Sequence, residues 1–175
     1  AFAKLNLTLD VLGKREDGYH DLQSVMQTIS VRDDIEIDIG TGKPWRLLCD
    51  KEGIPCDETN LAWKAAKVYC DAMKKDPDGI EIRITKRIPS EAGMGGGSAD
   101  AAFALKMLNT IAGLGLSNER LEEYAARIGA DCAFFIKNTP AYATGIGNIL
   151  SPTPCNLKGY TLVLVKPEIH ISTKE

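Results

Sequence analysis

Between positions 89 and 102 the chain reads Pro-Ser-Glu-Ala-Gly-Met-Gly-Gly-Gly-Ser-Ala-Asp-Ala-Ala, with four glycines in the five positions from Gly93 to Gly97. Glycine loses more backbone freedom on ordering than any other residue, so an ordered fold that keeps three in a row needs something in return. Upstream, Ile80, Ile82 and Ile84 alternate with Glu81, Arg83 and Thr85, which predicts a strand. Downstream, Ser98 to Ala112 is rich in Ala and Leu and predicts a helix, ended by Gly113 and Gly115. A glycine loop between a strand and a helix is suited to an anion. The backbone N–H groups approach it unhindered, and the helix N-terminus adds unpaired donors and a positive dipole end. The expected ligand is a phosphate, with Ser98 placed to cap the helix, touch the phosphate or hold Mg2+. A Walker A loop is excluded, because no Lys-Ser/Thr pair follows the glycines. A dinucleotide fingerprint is excluded too, because position 98 is Ser98.

Other segments place this loop within a larger pattern. Leu5, Leu7, Leu9 and Val11 alternate with Lys4, Asn6, Thr8 and Asp10, predicting a strand whose polar face carries Lys4 and Asn6 together. A charged turn with Gly13 and Gly18 follows, and strands are predicted over Ser24–Val31 and Ile35–Ile39. Residues 43–59 read as a loop. Leu61, Ala65, Val68 and Ala72 recur at three and four, predicting a helix from Asn60 to Lys75 that stops at the Asp76-Pro77-Asp78-Gly79 run. Ser117 is the expected N-cap of another helix, carrying Leu121, Tyr124, Ala125 and Ile128, with Gly129 at its C-terminal cap. Residues 131–136 fit a short helix or a strand equally well. Strands are expected at Ala141–Ala143 and at Tyr160–Val165, joined through Gly145, Gly147 and Pro152. Strands first, then strands mixed with helices, imply an α+β domain with helices on one face of a sheet.

Composition narrows the function classes. With 175 residues the chain is about one domain long, and its net charge of −3 offers no broad basic field for nucleic acid or anionic lipid. No apolar run approaches the ~18 residues that span a bilayer. The five cysteines are irregularly spaced and accompanied by only two histidines, so reduced thiols in a cytoplasmic protein are expected, without a zinc site or disulfide framework.

Pro89 to Ala102 resembles the phosphate loop of the GHMP kinases, named for galactokinase, homoserine kinase, mevalonate kinase and phosphomevalonate kinase. Ala3-Lys4-Leu5-Asn6-Leu7-Thr8-Leu9, Gly18-Tyr19-His20-Asp21-Leu22, Gly129-Ala130-Asp131 and Gly145-Ile146-Gly147 narrow the likeness to the branch acting on 4-diphosphocytidyl-2-C-methylerythritol, an isoprenoid precursor of the non-mevalonate pathway. The resemblance implies an N-terminal domain of the ribosomal protein S5 domain 2-like α+β fold over residues 1–166. Residues 167–175 would begin the connection to a ferredoxin-like C-terminal domain missing here, so that this chain is about half of an enzyme and weakly active or inactive alone.

By the same resemblance the substrates are ATP with Mg2+ and a cytidyl diphosphate sugar alcohol, with no nucleic acid or membrane partner. Asp131 takes the acceptor hydroxyl's proton, and Lys4 stabilises developing charge beside it. Pro89, Gly93, Met94, Gly95, Gly96, Gly97 and Ser98 hold the phosphates, and Asn60 and Lys86 lie toward the adenosine. Asn6, Tyr19 and His20 bind the acceptor, the ring and the imidazole near cytosine, and Ile146 lines the same pocket. Without the family, Asp131 reads as a helix N-cap, Lys4 as a solvated strand lysine, Lys86 as a surface lysine, and Asp100 as an acid suited to a helix's first turn. The chain departs from the family pattern at Phe2 for Pro, Ala99 for Ser, Cys132-Ala133 for Val-Pro and Asn148 for Glu. Rival readings are a GHMP kinase for homoserine, a sugar or mevalonate, a non-catalytic nucleotide-binding relative, and a nucleic-acid-binding or assembly domain on the same fold.

Overall fold

The period-two pattern at the start of the chain builds a longer strand than the apolar residues alone mark out. In the computed structural model, which describes residues 1–74 and 78–167, β1 spans Phe2–Lys14 and pairs antiparallel with β2, His20–Arg32. The ladder runs from Phe2 opposite Arg32 to Lys14 opposite His20 and shifts register three times. Such bulges bend a strand and increase its twist. β3 (Asp34–Ile39), β4 (Arg46–Cys49) and β5 (Ile80–Thr85) form a second sheet in the order β3-β5-β4, with β4 parallel to β5. β6 (Ala141–Thr144) and β7 (Ile149–Pro152) extend the first sheet to β1-β2-β6-β7.

Four helices pack together with the sheets: α1 (Leu61–Met73), α2 (Gly96–Ile111), α3 (Asn118–Ala126) and α4 (Cys132–Lys137). Ile80, Ile82 and Ile84 of β5 are buried against this layer, each contributing about 1.5–3 kcal/mol. α2 is central. Ala99, Ala101, Ala102 and Ala104 are fully buried, and their small size lets α1 and α4 approach its backbone closely. The expected α+β architecture is what the chain adopts.

Several local expectations change. β4 lies within the segment read as a loop; it is four residues long and Leu47 alone is buried, too little for a period to register. Residues 132–137 form a helix, with Phe134, Phe135 and Ile136 buried around its whole circumference, which erases any amphipathic stripe. Ser117 caps α3 as expected, its Oγ accepting from Arg120 N–H. The C-cap, however, is right-handed Arg127 rather than Gly129. Tyr160–Val165 is not a strand. Its residues are exposed, and no ladder partner lies beside them among the described residues. The expected end of α1 at Lys75, its Asp76-Pro77 stop and most of the predicted 167–175 connection fall outside the described residues. No helix among the described residues is long and apolar enough to cross a membrane.

Candidate active site

The glycine loop leads from the end of β5 to the start of α2, and its geometry is set by contact as much as by freedom. Gly95 is the N-cap of α2 at φ +68°, a conformation that side-chained residues rarely adopt. A Cβ there would lie 2.8 Å from the Phe135 ring of α4, so both backbone and packing demand glycine. No side chain caps α2 at Gly95. By helix geometry, the first-turn N–H groups of Gly96, Gly97 and Ser98 have no intrahelical acceptor. They sit at the positive end of a 16-residue helix. The helix starts two residues earlier than the alanine run suggests, because Gly96 and Gly97 read as loop by composition alone.

Opposite the loop stands the start of β1. Lys4 N–H donates to Met94 O at 3.1 Å, joining the strand to the loop. β1 is a strand as predicted, but burial changes along its length and not from face to face: Ala3, Lys4, Leu5 and Asn6, from both faces, are buried or half-buried, and both faces are exposed from Leu7 onward. Lys4, on the polar face, is 4% exposed, whereas Leu9 and Val11 are solvent-exposed. Lys4 is thus not a solvated lysine. Its Nζ donates to Asn6 Oδ1 at 3.0 Å and lies 3.4 Å from Asp131 Oδ2. Asp131 holds the N-cap position of α4 but makes no side-chain capping bond, which leaves its partly exposed carboxylate for the Lys4 pair.

These groups line one cavity of about 650 Å³. Lys4, Asn6 and Asp131 form one wall, and Pro89, Gly93, Met94, Gly95, Gly96, Gly97 and Ser98 another. Asn60 and Lys86 are also in the lining. Asn60 caps α1, accepting from Ala62 N–H at 2.9 Å and donating to Pro55 O at 2.7 Å. Lys86 is no surface lysine, since its ammonium is buried between Asp33 and Asp100. Burial works against its charge, yet the two carboxylates hold its pKa above the ordinary lysine value. Burial pushes Asp100 up to about 6 against the pull of Lys86. Asp100 is the fifth residue of α2 rather than a first-turn acid, so the dipole is not what explains it. Asp33 gave no signal in the sequence beyond an acidic pair between two predicted strands.

Tyr19 and His20 lie elsewhere, exposed near the turn of the β1–β2 hairpin. That turn is ordered by Arg15, which pairs with Asp17 and Asp21, and by Arg15 N–H donating to Tyr19 O at 2.8 Å. The structure therefore does not gather every expected substrate residue at the cavity. Ile146 is half-buried in a turn that links the two regions. Leu22 N–H donates to Gly145 O at 2.8 Å, and a Cβ on Gly147 would lie 3.7 Å from Asp131 Oδ1. Cys132, next to Asp131, is fully buried, and burial pushes its thiol up to about 11. No cluster of three His, Cys, Asp or Glu side chains suited to a metal occurs among the described residues. Mg2+ commonly takes most of its ligands from water and phosphate oxygens and one or two from protein. The Ser98 hydroxyl in the cavity is compatible with that.

Comparison with known proteins supports this architecture. Residues 60–139 match the GHMP kinases N terminal domain. The 4-diphosphocytidyl-2-C-methyl-D-erythritol kinase of Bacteroides fragilis is 49% identical over 176 residues, covering 99% of this chain and 64% of its own length. That of Clostridium beijerinckii is 45% identical over 175 residues, covering 100% of this chain and 61% of its own. The chain thus spans somewhat less than two thirds of these relatives. A crystal structure of 4-(cytidine 5'-diphospho)-2C-methyl-D-erythritol kinase superposes with a TM-score of 0.72 at 35% identity, covering 87% of this chain and 53% of that one. The mevalonate kinase of Methanococcus jannaschii, at 14% identity, a TM-score of 0.67 and coverage of 88% and 54%, shares the fold. Over residues 60–139 the chain thus matches the N-terminal domain of the GHMP kinases, and along nearly its whole length it is similar to 4-diphosphocytidyl-2-C-methyl-D-erythritol kinases.

Proposed function

We propose that this site transfers the γ-phosphate of ATP to a hydroxyl of 4-diphosphocytidyl-2-C-methyl-D-erythritol, a step of isoprenoid precursor synthesis carried out in the cytoplasm. The observation that carries the reading is the Lys4–Asp131 pair facing the glycine loop across one cavity. Phosphoryl transfer demands positioning, charge neutralisation and a group to receive the acceptor proton. The N–H groups from Gly93 to Ser98 hold the phosphates from one side. Asp131 orients the acceptor hydroxyl and takes its proton, a role worth about 10²–10⁴ in rate. Lys4, fixed by Asn6 and by its backbone bond to Met94, offsets the charge that develops between them. Mg2+ accompanying ATP supplies charge neutralisation at the phosphates, and Ser98 would hold it.

The acceptor would reach from Asp131 along the Gly145–Gly147 turn toward the hairpin. There Tyr19 offers a face for stacking a cytosine ring, and His20 offers hydrogen bonds. Two register shifts in the β1–β2 ladder, at Asn6/Thr8 and Val11/Gly13, bend the strands between these two stations. The test is ADP release by the full-length protein with a panel of acceptor alcohols. Turnover only with the cytidyl diphosphate acceptor supports the assignment. Preference for mevalonate, homoserine or a sugar would replace it with another small-molecule kinase, and ATP binding without turnover on any acceptor would point to a non-catalytic relative.

A further inference from the structure

Asp33, Lys86 and Asp100 come from three separate places: the corner between β2 and β3, the residue just past β5, and the second turn of α2. All three side chains are at least nine-tenths buried. Asp33 Oδ1 accepts the backbone N–H groups of Arg87 at 2.6 Å and Ile88 at 2.7 Å, while its Oδ2 accepts from Lys86 Nζ. Lys86 Nζ also donates to Asp100 Oδ2 at 2.8 Å. The chain entering the glycine loop is therefore fastened to Asp33, and the helix leaving it is fastened to Lys86. Gly96 closes the arrangement. A Cβ there would lie 3.2 Å from Ile88 Cγ2 and 3.3 Å from Lys86 Nζ, so the loop's entry and exit already touch above the ammonium.

A buried ion triad is a poor way to gain stability, because apolar residues of equal volume usually serve as well or better. This one also leaves Asp100 Oδ1 buried without a hydrogen-bond partner among the described residues. What the triad offers that apolar packing cannot is directional bonds that fix where the two ends of the loop sit. We propose that Asp33, Lys86 and Asp100 form one positioning unit that sets the aperture of the glycine loop, and that Lys86 acts through the loop rather than by touching the nucleotide. Its consequence for phosphate binding rests on the kinase reading above; the fastening of the loop does not.

The experiment uses the full chain and three variants: Lys86→Met, Asp33→Asn and Asp100→Asn. Asn at 33 keeps an acceptor for the two backbone N–H groups but turns an amide toward Lys86. Asn at 100 preserves shape while weakening the link to α2, and it decides the matter if Lys86→Met fails to fold. Without nucleotide, amide hydrogen exchange across residues 90–97 is expected to accelerate about tenfold or more, while β3 and α3 keep wild-type protection. The dissociation constant for ATP rises about tenfold or more in the same variants, and that for adenosine stays at the wild-type value. Unchanged loop exchange in the folded variants overturns the proposal. So does an equal loss of adenosine and ATP affinity confined to Lys86→Met, the mark of direct nucleoside contact. If the wild-type chain binds neither ATP nor adenosine, the kinase reading fails, and the exchange arm alone still decides whether the triad holds the loop.

Discussion

β1 is one strand with two environments. Over Phe2–Asn6 it is buried or half-buried, bonded to the glycine loop through Lys4 N–H and to Asp131 through the Lys4 ammonium. Over Leu7–Lys14 it is exposed, and Leu9, Val11 and Leu12 stand 52%, 62% and 60% open to solvent. The first half has its position fixed by the backbone bond from Lys4 to the loop and by the buried Lys4 ammonium paired with Asp131. The second half is held by its ladder to β2 and by the Arg15 turn. The difference matches the two tasks proposed for the site. Transferring a phosphoryl group tolerates little misplacement, since a displacement of about 1 Å can cost 10²-fold in rate. Recognising a distant, flat base tolerates more.

Substitutions at the two ends of β1 should therefore fail in different ways. Lys4→Met removes the cation beside Asp131 and is expected to lower kcat by about 10²–10³-fold, with a smaller change in the KM for the acceptor, as steady-state kinetics would show. A rise in KM at constant kcat would mean that Lys4 serves binding rather than the transition state. Gly95→Ala acts on structure. It places a methyl against the Phe135 ring in a left-handed backbone, and thermal unfolding should report a loss of about 2–4 kcal/mol. A loss below about 0.5 kcal/mol would show that α4 yields easily and that the loop is less tightly fixed than its contacts indicate. At the far end, Tyr19→Ala should leave stability within about 0.5 kcal/mol and kcat nearly unchanged. It should raise the KM for the cytidyl diphosphate acceptor about tenfold, the cost of one base-stacking contact. An unchanged KM would remove the hairpin from the substrate site.

Much of this division was legible in the sequence, and the failures have physical causes. The strand–glycine loop–helix succession could be read because each part has its own signal: alternation of isoleucines, glycines without relief, then an alanine run. The phosphate loop and the Lys4, Asn6 and Asp131 group meet at one cavity as the motifs imply. The burial of β1 could not be read. Alternation gives the period of a strand but not how far along it the core reaches, and here both faces are buried or half-buried through Asn6 and both are exposed from Leu7. Without the family, Lys86 and Asp100 read as surface and dipole residues because a buried ion triad leaves no periodic trace, and Asp33 leaves no trace at all. β4 and α4 leave no clear period in the sequence because elements of four and six residues are shorter than the windows over which a period becomes visible. The Tyr160–Val165 run has the alternation of a strand without a ladder partner among the described residues, and pattern alone cannot supply one.

The central claim is that Asp131 receives the acceptor proton while the glycine loop holds ATP. Single-turnover phosphoryl transfer by the full-length protein, comparing wild type with Asp131→Asn at equal occupancy of ATP and acceptor, tests it most directly. Asp131 forms no capping bond, so the variant should fold and bind ATP with wild-type affinity. Its rate of transfer should fall by about 10²–10⁴-fold. Transfer at the wild-type rate by the folded, ATP-saturated variant would contradict the assignment.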